Sequence, residues 1–127
     1  MAKPVIMLAA GGTGGHIFPA LAVGEYLINQ GWSPVFVTDK RGRHMIPKEY
    51  KTITISAASP FALRLHMRLW RLFQLGMGLL SSACTILWRR PKAVIGFGGY
   101  PAVPPVIAAH GLGLPVMLHE QNASMGR

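Results

Sequence analysis

The chain has 127 residues, half of them hydrophobic and 13% charged, enough for one buried core and too apolar for a disordered segment. Thirteen Lys and Arg against four Asp and Glu give a formal charge of +9, which favours a polyanionic partner: nucleic acid, anionic lipid or a phosphorylated substrate. The single Cys84 excludes an internal disulfide and fits a reducing compartment.

In chain order, the apolar run at residues 5–10 reads as a strand that ends in Gly11-Gly12-Thr13-Gly14-Gly15-His16. Its apolar start runs straight into glycines with no cleavage site, so no signal peptide is expected. Residues 19–30 follow as a helix, with Gly31 where a helix C′ residue belongs. Strand, glycine turn and helix together aim backbone N–H groups and a helix N-terminus at one point, which favours phosphate or diphosphate. Four glycines in the turn are expected to let a ligand approach the backbone with no Cβ in the way. His16 stands at the same mouth. It either caps the helix by bonding the turn, or its neutral imidazole takes a proton from an attacking hydroxyl near pH 7.

Residues 34–38 form the next strand, followed by a polar loop, then a strand at 52–56. Residues 63–88 read as two helices broken near Gly76 or Gly78. The uncharged stretch 72–88 lies between Arg71 and Arg89-Arg90, yet it is short for a bilayer and holds several polar residues. A span needs about 20 apolar residues, so a buried helix is expected instead. A strand at 93–96 leads into a second glycine turn, Gly96-Phe97-Gly98-Gly99-Tyr100-Pro101, and a helix with prolines in its first turn. A last strand at 116–119 ends in His119-Glu120-Gln121-Asn122.

Repeated βα units imply a Rossmann-like, doubly wound and mostly parallel α/β sheet with helices on both faces. Ligands of such sheets bind outside the carboxyl ends of the strands, where every glycine and polar cluster of this chain falls. With no helix after the last strand, residues 1–127 are expected to be the front half of a longer protein.

The first turn lacks the Gly-x-Gly-x-x-Gly spacing of dinucleotide-binding folds, although Asp39 ends the second strand where a ribose-binding acid would stand. A nucleotide-dependent oxidoreductase is thus the second reading. A basic nucleic-acid-binding module is a third, disfavoured by the absence of any known motif or surface aromatic series. The histidines lack metal-ligand spacing, and neither a metal nor a cofactor is expected.

On a helical projection of residues 63–75, Arg64, Arg68 and Arg71 share one face. Leu65, Met67, Leu69, Trp70, Leu72 and Phe73 spread over most of the remaining circumference, wider than a core-facing stripe requires. Either another element covers this helix, or it meets an anionic membrane surface through apolar and cationic groups together.

The first turn with its continuation Ile17-Phe18-Pro19-Ala20-Leu21-Ala22, the stretch Gly96-Phe97-Gly98-Gly99-Tyr100, and His119-Glu120-Gln121-Asn122 occur in order at successive strand ends. In these three motifs the chain resembles the N-terminal domain of the MurG family of bacterial glycosyltransferases, over essentially its whole length. The resemblance implies the acceptor-side half of a GT-B enzyme, with a donor-binding second domain outside these residues. The family moves N-acetylglucosamine from UDP-GlcNAc to the C4 hydroxyl of the muramyl sugar in lipid I, with inversion, giving lipid II of peptidoglycan. Its members work peripherally at the cytoplasmic face of the inner membrane. Carried onto this sequence, the family pattern places Thr13, Gly14 and Gly15 near the diphosphate and acceptor, and Asn122 on the sugar nucleotide. Gly98, Gly99 and Tyr100 bind substrate, with Tyr100 positioning rather than reacting. His16 lies near the reacting centre as the candidate base, with Glu120 as the alternative. Arg64, Leu65, Arg68, Leu69, Trp70, Arg71 and Phe73 correspond to the family's membrane-association region.

Overall fold

The computed structural model describes residues 3–55 and 65–119, with Tyr100 described by its backbone alone. Five parallel strands lie in the order β3-β2-β1-β4-β5: β1 Val5–Ala9, β2 Ser33–Thr38, β3 Thr52–Thr54, β4 Val94–Gly96 and β5 Val116–Leu118. Four α-helices connect them: α1 Gly14–Asn29, α2 Lys40–Arg43, α3 Leu65–Arg89 and α4 Val103–Gly111, the last preceded by a 3-10 turn at Tyr100–Ala102.

The central strands are apolar on every residue because both faces of the sheet are covered. Alternate residues face opposite sides. Met7, Ala9, Val37 and Val94 pack with Ile86 of α3 and Ala108 and Ala109 of α4. Ile6, Leu8 and Phe36 pack instead with Ile17 and Ala20 of α1. Gly24 lets α1 sit close on the sheet, since a Cβ there would lie 2.5 Å from the Phe36 ring.

The strand order reverses between β1 and β4, which pair with Ala9 opposite Gly96. A doubly wound sheet opens a crevice above the carboxyl ends of such a pair. Both glycine turns leave the sheet at that point.

Four local expectations change. The helix over residues 72–88 is not buried: only Gly78, Ser82 and Ile86 are, while Leu80, Leu87 and Trp88 are more than half exposed. Helix α1 starts at Gly14 rather than Pro19, because Thr13 supplies the extended N-cap backbone and one proline inside the helix removes only one hydrogen bond. The polar loop after β2 contains the short α2, whose first turn is closed by Asp39 Oδ1 accepting from Gly42 N–H at 2.9 Å. Helix α3 runs unbroken through Gly76 and Gly78. A mid-helix glycine costs about 1 kcal/mol, and Gly78, Ser82 and Ile86, one turn apart, form the buried stripe that seats the helix.

Candidate active site

The two glycine turns interlock. Gly11 N–H donates to the Gly98 carbonyl at 2.8 Å. A Cβ on Gly11 would stand 2.8 Å from Gly99 Cα, and one on Gly99 would stand 2.6 Å from Gly11 Cα. Gly98 and Gly99 also hold left-handed backbone, with φ of +102° and +84°, a region that favours glycine. On the other flank, a Cβ on Gly12 would meet Asp39 Oδ1 at 2.5 Å. The expectation that the glycines leave room for a ligand therefore needs correction at Gly11, Gly12 and Gly14, where protein atoms, at Gly14 the Phe18 ring, already occupy the side-chain space.

What remains for a ligand is the first turn of α1. The N–H groups of Gly14 and Gly15 precede any intrahelical carbonyl partner, and the helix dipole adds to their pull on an anion. Thr13 does not cap the helix with its side chain. Its Oγ1 instead lies 2.9 Å from His16 Nδ1. The half-buried imidazole lies against the second turn, so close that a Cβ on Gly98 would sit 2.8 Å from Cδ2 and 3.0 Å from Nε2. With Nδ1 engaged, Nε2 is the nitrogen left for proton transfer. The capping alternative for His16 thus takes a specific form, a bond to the Thr13 hydroxyl rather than to the turn backbone.

The end of β5 joins the same edge. His119 N–H donates to the Gly96 carbonyl at 2.8 Å, and its ring packs on buried Phe97 with centroids 5.4 Å apart. The strand stops at Leu118, so His119 already lies beyond it. His16, Gly98, Gly99 and His119 are thereby gathered above β1, β4 and β5. Glu120 and Asn122 lie outside the described residues, as does Arg64.

Asp39 is committed elsewhere than the oxidoreductase reading requires. One carboxylate oxygen holds Gly42 N–H and the other faces Arg41 Nη2 at 3.6 Å. The first half of α3 forms a separate surface. Leu65, Leu69, Trp70 and Phe73 are all more than half exposed, and Trp70 stacks on Phe73 at 5.7 Å. Arg68 is exposed beside them and Arg71 half-buried. No helix among the described residues is long and apolar enough to cross a membrane, and no cluster of three metal-ligating side chains occurs among them.

Residues 6–127 match the family model for the glycosyltransferase family 28 N-terminal domain. The chain belongs to that family. It is 43% identical over 138 residues to the UDP-N-acetylglucosamine–N-acetylmuramyl-(pentapeptide) pyrophosphoryl-undecaprenol N-acetylglucosamine transferase of Rhizobium meliloti (strain 1021), covering 100% of this chain and 34% of that one. The chain thus spans about a third of the length of the curated relatives it matches. The crystal structure of Acinetobacter baumannii MurG superposes with a TM-score of 0.77 at 31% identity, covering 94% of this chain and 36% of that one. The UDP-GlcNAc 2-epimerase of Methanocaldococcus jannaschii shares the fold alone, with a TM-score of 0.61 at 17% identity over 90% of this chain and 30% of that one. Family membership and the commitment of Asp39 both count against the oxidoreductase reading.

The contact of Arg41 with the first glycine turn escaped the sequence reading, although Asp39, three residues before Gly42, is a legible N-cap signal.

Proposed function

We propose that this domain is the acceptor-side half of an inverting transferase that moves N-acetylglucosamine from UDP-GlcNAc to the muramyl C4 hydroxyl of lipid I. The observation that carries the reading is the interlock of Gly11 with Gly98 and Gly99 around His16, above the β1–β4 switch point. It holds a base candidate beside a helix N-terminus suited to a diphosphate. The acceptor diphosphate binds at Gly14 and Gly15. His16 Nε2 removes the C4 hydroxyl proton as that oxygen bonds to the sugar C1 and the bond to UDP breaks. This role requires the Nδ1–H tautomer, which donates to Thr13 Oγ1. Tyr100 positions substrate, Glu120 is the alternative base, and Asn122 contacts the sugar nucleotide. A second domain, beyond residues 1–127, supplies most donor contacts.

The 127-residue chain alone is expected to transfer no N-acetylglucosamine at a useful rate. Joined to the remaining two-thirds of the Rhizobium meliloti relative, it should transfer the sugar to lipid I in a radiolabel assay. Turnover by the chain alone, or none by the folded fusion, would refute the division of labour.

The same reading places the enzyme peripherally at the cytoplasmic face of the inner membrane, with Leu65, Leu69, Trp70 and Phe73 entering the lipid boundary. Each cation near an anionic surface adds about 1 kcal/mol. Trp70→Ser combined with Arg68→Glu should abolish flotation with vesicles containing anionic lipid. Flotation that is independent of anionic lipid, or unchanged in the double variant, would remove the membrane role.

A further inference from the structure

The first glycine turn has two flanks, and only one is closed by the second turn. The other abuts the corner between β2 and α2. A Cβ on Gly12 would lie 2.5 Å and 2.9 Å from the two oxygens of Asp39 and 3.0 Å from Arg41 Cβ. Arg41 therefore leaves the backbone in contact with the turn. Gly14 is two residues further on, at most about 7 Å away along the chain.

The guanidinium is steered rather than consumed at this corner. Its Nη2 stands 3.6 Å from Asp39 Oδ2, attraction between charges but too long for a hydrogen bond. The Arg41 side chain is 74% exposed and that of Asp39 only 15%. A guanidinium carries five N–H donors in a fixed fork suited to carboxylate and phosphate, and here the side chain that carries them is largely exposed, rooted beside the first turn. Asp39 does not repel an anion strongly, because one oxygen is bonded to Gly42 N–H and the other faces the cation. Lys40, Arg41 and Arg43 outweigh that single carboxylate, with His44 beside them. An exposed ion pair contributes only about 0–1 kcal/mol to stability, so folding gives little reason for the arrangement.

We propose that Arg41, braced by Asp39 against the first glycine turn, is an oxyanion-binding residue of this site that engages the acceptor. The proposal rests on the acceptor-side reading above. Two parts of the acceptor offer that chemistry. One is its diphosphate. The other is the free carboxylate of its pentapeptide, since a peptide joined to the sugar through its amino end keeps its C-terminal charge.

The test is calorimetric titration of the 127-residue chain with inorganic pyrophosphate, and with an N-acetylated pentapeptide bearing either a free or an amidated C-terminus. Amide shifts of Gly14 and Gly15 are followed in parallel. Arg41→Gln should raise Kd at least fivefold for pyrophosphate, or for the free-carboxylate peptide while the amidated peptide binds to neither form. The first result assigns the diphosphate and the second the peptide. Arg41→Lys should fall between, because a point charge loses the fork, and Lys48→Gln should change Kd less than twofold. Matching thermal melts confirm that the variants fold. Equal affinity of the wild type and Arg41→Gln for both ligands overturns the proposal, as does failure of the wild type to bind either. Shifts at Gly14 and Gly15 that are the same in both proteins leave the acceptor-side reading standing while the role of Arg41 falls. Arg41-dependent binding of pyrophosphate with those amides unmoved removes the diphosphate from Gly14 and Gly15 while the role of Arg41 stands.

Discussion

Gly99→Ala is expected to cost about 3–5 kcal/mol of stability, the sum of left-handed backbone strain and forced overpacking. The added methyl would press on Gly11 Cα at 2.6 Å, and backbone cannot rotate away as a side chain can. A domain of this size has only about 5–15 kcal/mol in total, so the variant should lie near the edge of folding. Gly113→Ala isolates the two terms. Gly113 also has positive φ, at +78°, but nothing lies within 4 Å of a Cβ there. It should lose only the strain, about 1–2 kcal/mol. Urea melts of both variants measure the difference, and equal losses would mean that the turns yield without resistance.

The second large effect concerns chemistry. His16→Ala, in a two-domain enzyme carrying this domain, should lower kcat by about 10²–10⁴-fold, the usual contribution of a positioned general base. Thr13→Val keeps the imidazole but removes its Nδ1 partner, and should cost a smaller factor of about 10 by releasing ring orientation and tautomer. Steady-state rates at saturating acceptor distinguish chemistry from binding. A fall of less than tenfold in His16→Ala would transfer the role of base to Glu120.

The parts of this fold that local patterns govern were readable before the structure. The unbroken apolar run after Pro4 specifies a strand buried on both faces. Glycine turns at strand ends specify the carboxyl edge of a parallel sheet. The breadth of the apolar surface on α3, with Trp70 and Phe73 beside Arg68, follows from helical periodicity alone. Other features depend on residues far apart in sequence. Nothing near Gly11 announces that Gly99 Cα will occupy the space beside it, so local sequence alone points to a ligand there. A break near Gly76 or Gly78 is what local propensity favours, whereas the buried stripe of Gly78, Ser82 and Ile86 keeps α3 continuous. The contact between Arg41 and Gly12 likewise exists only once β1 and β2 are paired.

The central claim is that one crevice, walled by the two turns, receives the acceptor rather than the donor. Backbone amide shifts of the 127-residue chain, titrated with a short-chain, water-soluble lipid I analogue and separately with UDP-GlcNAc, test it most directly. The analogue should move Gly14, Gly15, Gly98 and Gly99 together at one apparent Kd, while UDP-GlcNAc moves them little. Shifts confined to α3, or the same four amides answering to UDP-GlcNAc instead, would contradict it.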